Sequence, residues 1–138
     1  MLSAAAVVVC ALALLGRSSP GPVPIKLVEA APRGASPFVQ GYLLRDPNTI
    51  YLVTTTPHFR DAQRGDADAL RQIASVIVHE QWHVTHGDDE QAAYEAQLTT
   101  LNALGASTNL MSVVRKSMLA VRDAKKRARK LALTLASR

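Results

Sequence analysis

The sequence predicts a small α+β domain in which a β-hairpin packs on the first of three helices. The chain has 138 residues, which is the length of a single domain. Two strand-like runs, residues 38–44 and 50–55, flank a turn at Arg45-Asp46-Pro47-Asn48-Thr49. Beyond residue 66, apolar residues recur at helical spacing almost to the C-terminus. These three observations together favour the α+β class.

The N-terminal region reads as a separate segment. Residues 2–15 form an uncharged apolar run typical of a signal-peptide core, shorter than the roughly 20 residues that span a bilayer. We therefore expect residues 1–16 to be a signal peptide or an anchor, and the protein to be secreted or membrane-tethered outside the cytoplasm. The alternative is an ordinary buried apolar segment. Repeated prolines predict an irregular linker over residues 17–37, ahead of a domain over 38–138.

The first of the three helices is predicted to begin at Asp66 or Asp68, either of which can cap it. It should end at His86, because Gly87 is the preferred residue for a helix reversal. One face of this helix is apolar and should pack on the core. The residues of that face are Leu70, Ile73, Ala74, Ile77 and Val84.

Two further helices should follow. Asp88 or Asp89 can cap the second, which is predicted to run to Leu104, with Tyr94, Leu98 and Leu101 on its buried face. The third should start around Ser107-Thr108-Asn109 and continue close to the C-terminus.

The residues that specify chemistry are His79-Glu80-Gln81-Trp82-His83, an H-E-x-x-H sequence. On a helix, residues four apart share a face, so His79 and His83 can bind one metal ion. Glu80 is placed to act as general base on a water activated by that metal. The only cysteine, Cys10, can form no disulfide within the chain and indicates no cysteine-based zinc site.

A catalytic zinc ion usually takes three protein ligands, so a third is needed. Glu95 and Glu90 on the second helix are the candidates. We expect Glu95, because an antiparallel second helix returns to the level of the two imidazoles near residue 95, at 1.5 Å rise per residue. Glu90 lies nearer the apolar face of its helix, which favours it. His86 is the least favoured candidate, since it lies one turn beyond His83 and suits capping of the helix terminus better.

The helix with His79-Glu80-x-x-His83, the turn and the second helix with an acidic ligand resemble the zincin metallopeptidases, in particular the Glu-ligand (gluzincin-like) branch. The likeness spans roughly residues 38–104. It implies that His79, His83 and Glu95 bind zinc (Zn2+) and that Glu80 is the general base. The chain departs from the metzincin pattern, which places Gly and His three and six positions after the second His, where this chain has His86 and Asp89.

The resemblance implies hydrolysis of a peptide or protein substrate by an activated water, with the substrate carbonyl polarised by the metal. The developing oxyanion needs another donor. Tyr94, Tyr51, His58 and His86 are open alternatives for that role. An extended peptide could add to an edge strand at residues 50–55, which could equally be a plain structural strand.

The C-terminal helix is strongly basic. Its apolar stripe is expected to pack on the domain, and its basic run at residues 125–130 could bind an anionic membrane surface or simply be solvated. Nucleic acid is not expected as a partner, because no aromatic residues lie among the charges. The stripe consists of Leu110, Val113, Val114, Met118, Val121, Ala124, Ala128, Leu131 and Leu135.

Three hypotheses follow from the sequence. The first is a secreted or membrane-tethered zinc metallopeptidase. The second is a non-catalytic metal-binding or interaction protein with a zincin-like fold, against which the intact Glu80 argues. The third is a helical protein associated with membrane or nucleic acid, in which the motif is accidental. Metal content distinguishes the first two from the third, and a peptidase assay distinguishes the first from the second.

Overall fold

The computed structural model describes residues 1–36 and 38–137; Pro37 of the predicted linker and Arg138 lie outside it. The described residues form an α+β domain of five helices and a three-stranded sheet. The strands are β1 (Ile25–Val28), β2 (Gly41–Leu44) and β3 (Thr49–Val53). The helices are α1 (Ala4–Leu14), α2 (Pro57–Gln63), α3 (Ala67–His86), α4 (Glu90–Ala103) and α5 (Thr108–Ala136).

The sheet contains the predicted hairpin and one strand that was not predicted. Strands β2 and β3 pair antiparallel, with Tyr42 opposite Tyr51. Strand β1 pairs parallel with β3, with Ile25 opposite Ile50. The prediction that residues 17–37 are irregular throughout is therefore wrong for the four residues of β1.

The strand order β1-β3-β2 places β3 in the centre of the sheet. Both of its edges are hydrogen-bonded, and Ile50 and Leu52 are fully buried. The prediction that residues 50–55 form an edge strand is wrong for this reason. Strands β1 and β2 are the outer strands instead, and among the described residues no further strand pairs with the second edge of β2.

A short helix, α2, follows the sheet in a region where no helix was predicted from the sequence. Thr56 caps it, and Pro57 occupies the first turn, where a missing N–H has no consequence. Phe59 is fully buried on its inner face. The Thr-Pro pair was the sequence signal for this helix.

The three long helices begin where their capping residues predicted. The side chains of Asp66, Asp89 and Ser107 accept hydrogen bonds from backbone N–H groups in the first turns of α3, α4 and α5. Gly87 ends α3 with a φ of 101°, a conformation that favours glycine. The predicted order of three helices is confirmed, and the cap alternatives resolve to Asp66 and Asp89.

Helix α1 packs into the core of the domain. Val7 and Ala11 are fully buried, and they belong to the same cluster as Ile73 and Ile77 of α3. Among the described residues, no helix has both the length and the apolarity that crossing a membrane requires. Export or tethering of the protein stays a prediction.

The packing of α1 leads to a testable expectation. Leu12→Ala should lower the free energy of unfolding by about 2–5 kcal/mol, because Leu12 is 4% exposed and its loss leaves a cavity. Val9→Ala on the exposed face of the same helix should change it by less than about 0.5 kcal/mol. Urea denaturation of both variants measures the difference. Small and equal effects of the two substitutions on stability would show that α1 does not pack in the core in solution.

Helix α5 is packed only over its first half. Leu110 and Val114 are buried and join Leu101 of α4 in a small second cluster. Residues 122–137 are exposed throughout. The expectation that the whole apolar stripe packs on the domain is therefore wrong for its second half, from Ala124 to Leu135.

Candidate metal centre

The two histidines of the motif lie one turn apart on α3, on the side of the helix that faces α4. His79 is 6% exposed and His83 is 7% exposed. Glu90, in the first turn of α4, lies beside both of them. One ligand atom from each of these three side chains falls within 4.8 Å of the other two. The described residues thus bring two imidazoles and one carboxylate to a single point.

The Nδ1 atoms of both imidazoles are held by carbonyl oxygens. His79 Nδ1 lies 2.9 Å from Gln97 Oε1, and His83 Nδ1 lies 2.7 Å from the backbone oxygen of Gly87. The Gly87 oxygen can only accept, so His83 must donate from Nδ1. Gln97 donates its amide N–H to Ser75 Oγ at 3.1 Å, which turns its oxygen toward His79. Both imidazoles therefore carry their proton on Nδ1.

The Nε2 atoms of both imidazoles point to the same carboxylate oxygen. His79 Nε2 lies 3.2 Å from Glu90 Oε1, and His83 Nε2 also contacts Oε1 closely. A neutral imidazole with its proton on Nδ1 has only a lone pair at Nε2. Lone pairs facing a carboxylate repel each other unless a proton or a metal cation lies between them. Either a proton on an Nε2 atom or a metal cation bound by all three groups would remove this repulsion.

The pKa values of the cluster reflect this need for positive charge. Burial by itself lowers the pKa of His79, but the hydrogen bond and negative charge of Glu90 outweigh burial and raise that pKa above its usual value. Conversely, the hydrogen bond that a protonated His79 donates from Nε2 lowers the pKa of Glu90. The carboxylate is thus ionised and the site attracts cations near neutral pH.

The structure brings Glu90, and not Glu95, next to the imidazoles. Along the axis of α4, Glu95 lies between Glu90 and Gln97, which both contact His79. Its axial position is therefore close to the level of the imidazoles, as predicted. Its side chain is exposed, because five residues of helix turn it about 140° away from Glu90. Rotation about the helix axis, rather than rise along it, therefore decides which carboxylate lies beside the two imidazoles. We accordingly revise that prediction to Glu90.

His86 lies outside the cluster. It is exposed, its ring stacks on Trp82 with centroids 4.7 Å apart, and its Nδ1 lies 3.3 Å from the Trp82 carbonyl oxygen. The contact to that carbonyl near the end of α3 agrees with a capping role for His86.

Glu80 lies at the junction of two cavities. One, of about 400 Å³, also contains His79, Glu90 and Tyr94 in its walls. The other, of about 430 Å³, also has His83 and Glu90 in its walls. Glu80 is 7% exposed. Burial raises the pKa of its carboxyl group, and this effect outweighs the charges of the two histidines, which lower that pKa. A buried carboxylate beside two imidazoles suits proton transfer.

The start of β2 and the residues just ahead of it border both cavities. Val39 and Gly41 line each of them. A Cβ atom at Gly41 would lie 2.8 Å from a methyl carbon of Val76, so only glycine lets the strand approach α3 this closely. Arg45 in the following turn donates a hydrogen bond to the His83 backbone oxygen at 3.1 Å. The hairpin is therefore anchored against α3 beside the histidines.

Of the four suggested oxyanion donors, Tyr94 lines the first of these cavities, whereas Tyr51, His58 and His86 line neither. Its ring meets His79 edge-on, with centroids 4.6 Å apart. Burial raises the pKa of Tyr94, which keeps its hydroxyl protonated and able to donate. Its expected place, on the buried face of α4 with the hydroxyl at the rim, is compatible with this geometry.

Sequence reasoning missed the polar residues that support His79. Gln97 and Ser75 are buried, and Ser75 Oγ lies 2.8 Å from the backbone oxygen of Gln72, to which it donates. Gln72 in turn donates from its side chain to Gln40, ahead of β2, at 3.2 Å. The available signal was Gln97 at seven residues from Glu90, which places both on one face of α4.

Comparison of the chain with protein-family models, curated proteins and solved structures found no match. Its function therefore has to be inferred from the geometry of the site.

Proposed function

We propose that this protein is a zinc metallopeptidase in which His79, His83 and Glu90 hold the metal and Glu80 is the general base. The observation that carries the proposal is the convergence of two imidazole Nε2 atoms and one carboxylate oxygen on one point. Two imidazoles and one carboxylate, with a fourth position left for water, form a usual donor set for catalytic zinc. The residues present fit the ion.

The bound ion would supply a Lewis acid that acidifies water and polarises a carbonyl group. Glu80, in both cavities, would accept the proton of the attacking water and return it to the leaving amine. Tyr94 would donate a hydrogen bond to the carbonyl oxygen as charge develops there. Gln97 and the Gly87 carbonyl would hold the imidazoles in the tautomer that leaves Nε2 free.

The free edge of β2 would bind the substrate. An extended peptide that adds to this edge gains backbone hydrogen bonds and passes along both cavities, with Glu80 between them. This replaces residues 50–55, which are paired on both sides, as the binding strand. A secreted or membrane-tethered peptidase remains our proposal for its location.

Metal analysis tests the first part of the proposal. We expect about one zinc per chain in wild type, none in His83→Ala, and wild-type content in His86→Ala. His86 is the matched control because it lies on the same helix, one turn further, and is exposed. Iron(II) in place of zinc would contradict the proposal, since two histidines and a carboxylate also suit that ion. Absence of metal from wild-type protein refolded with zinc would also contradict the proposal.

An unbiased peptide-cleavage screen tests the second part. The zinc-loaded protein should cleave extended peptides, and a chelator should stop cleavage until zinc is restored. A zinc-binding protein that cleaves nothing in the screen would favour the second candidate, a non-catalytic metal-binding protein. Burial of Glu80 beside the ligands supports the catalytic alternative, because an ionisable group is costly to bury without a role.

The hydrogen bond from His79 to Gln97 gives a further prediction. Gln97→Leu should weaken zinc binding about 10- to 100-fold, because the imidazole loses the acceptor that fixes its tautomer. Gln91→Leu, on a partly exposed side of the same helix, should leave affinity unchanged. Competition with a chromophoric chelator measures both. An unchanged affinity in Gln97→Leu would show that the contact does not orient His79.

A further inference from the structure

We propose that the exposed second half of α5, residues 122–137, docks on an anionic lipid bilayer. We name this segment the basic half-helix. Every residue in it is exposed, although it continues a helix whose first half is packed at Leu110 and Val114. Its fifteen helical residues, 122–136, are only marginally stable in water without support. A surface that contacts this segment would therefore stabilise it.

The net charge of the whole protein lies in the basic half-helix. It holds six of the 16 Lys and Arg residues and one of the 11 acidic residues, so the rest of the chain has ten of each and is neutral. The single acid, Asp123, pairs with Arg122 at 3.6 Å. Five cations then remain for an external partner: Lys125, Lys126, Arg127, Arg129 and Lys130.

The basic half-helix also has an apolar face. Ala124, Ala128, Leu131 and Leu135 follow one another at intervals of three or four residues and therefore share one side. Leu131 is 60% exposed and Leu135 is 57% exposed. Lys125 and Arg127 lie at the two borders of this stripe, about 160° apart. Cations on both flanks of an apolar stripe are typical of helices that lie in the headgroup region of a bilayer.

The two other partners that such a helix could have fit less well. A second copy, packed stripe to stripe, would bring the bordering cations of both chains together. A nucleic acid would bind the cations but leave the leucines in water, and residues 109–137 contain no aromatic side chain for stacking on bases. An anionic bilayer satisfies both faces at once.

Docking would also place the cavity lined by His79 and Glu80 near the bilayer. Val113, Ser117 and Ala120 of the first half of α5 line the cavity that contains His79 and Glu80. Because α5 lines this cavity, its docking would bring the cavity close to peptides bound at the membrane. This consequence rests on the proposed function, whereas docking itself does not.

Vesicle co-sedimentation of the full chain tests the proposal without any assay of activity. We expect binding to vesicles with about a third phosphatidylserine in phosphatidylcholine, and none to phosphatidylcholine alone. Lys125→Gln with Arg127→Gln should weaken binding about 25-fold, or roughly fivefold for each cation. Lys26→Gln with Arg33→Gln removes the same charge from exposed positions elsewhere and should have no effect.

A second pair of variants tests the apolar face. Leu131→Gln with Leu135→Gln keeps the charge and should weaken vesicle binding about tenfold or more. Unchanged binding in this variant, equal losses in the two charge variants, or binding to neutral vesicles would each overturn the proposal. Tighter binding to a double-stranded DNA oligonucleotide than to the vesicles would overturn it too. A concentration-dependent dimer that Leu131→Gln with Leu135→Gln dissolves would assign the stripe to a second copy instead.

Discussion

Glu80→Gln should abolish peptide hydrolysis while leaving zinc bound. Glutamine has the size and shape of glutamate but cannot accept the proton of the attacking water at neutral pH. Loss of a general base typically costs 10²- to 10⁴-fold in rate, and we expect kcat/KM to fall by about that factor. Zinc content should stay at the wild-type value, because Glu80 lies outside the cluster of ligand atoms.

The same samples supply the measurement and its control. Zinc content and cleavage of a peptide from the screen are compared between wild type, Glu80→Gln and Glu29→Gln, an identical change at an exposed residue after β1. Glu29→Gln should match wild type in both respects. Loss of zinc from Glu80→Gln would show that Glu80 is a ligand. Undiminished cleavage would show that another group is the base.

The parts of the fold that could be predicted are those fixed by local chemistry. Capping by Asp66, Asp89 and Ser107 depends on residues within one turn, and so does the reversal at Gly87. The hairpin follows from two runs joined by a short turn. All of these were predicted near their observed positions.

The parts that could not be predicted depend on distant contacts. Strand β1 has only four residues in a proline-rich region, and its pairing partner Ile50 lies 25 residues from Ile25. No local pattern distinguishes such a strand from a linker. Likewise, the stripe on α5 continues unbroken through Leu135, yet every described residue from 122 onward is exposed. Periodicity predicts a helix and its faces, but not what covers them.

The candidate site combines both situations. His79, Glu80 and His83 follow from one motif on one helix, whereas the third ligand depends on how two helices pack. Rise along α4 favoured Glu95, and the buried positions Ala93 and Gln97 favour Glu90, because residues 90, 93 and 97 share a face. In choosing a candidate ligand on a helix, the face on which the side chain lies therefore has to be considered before its position along the helix axis.

Glu90→Ala should weaken zinc binding far more than Glu95→Ala. Glu90 Oε1 faces both imidazoles, while Glu95 is exposed on another side of the same helix. Loss of one of three protein ligands should exceed the roughly 10- to 100-fold loss typical of residues that only support a ligand. Glu95→Ala should leave the affinity within about twofold of wild type, as a surface change far from the metal.

Metal titrations of the two variants with a competing chelator decide between these carboxylates. Glu90 also lies in the first turn of α4, where a negative charge stabilises the helix by about 0.3–1 kcal/mol. Urea denaturation in the presence of a chelator measures that contribution separately, so a loss of zinc affinity caused by a frayed helix can be recognised. Glu90→Gln provides the second check, because it keeps the length of the side chain and removes its charge. Equal losses in Glu90→Ala and Glu95→Ala, or a larger loss in Glu95→Ala, would mean that α4 rotates when zinc binds, with Glu95 turned inward to complete the site.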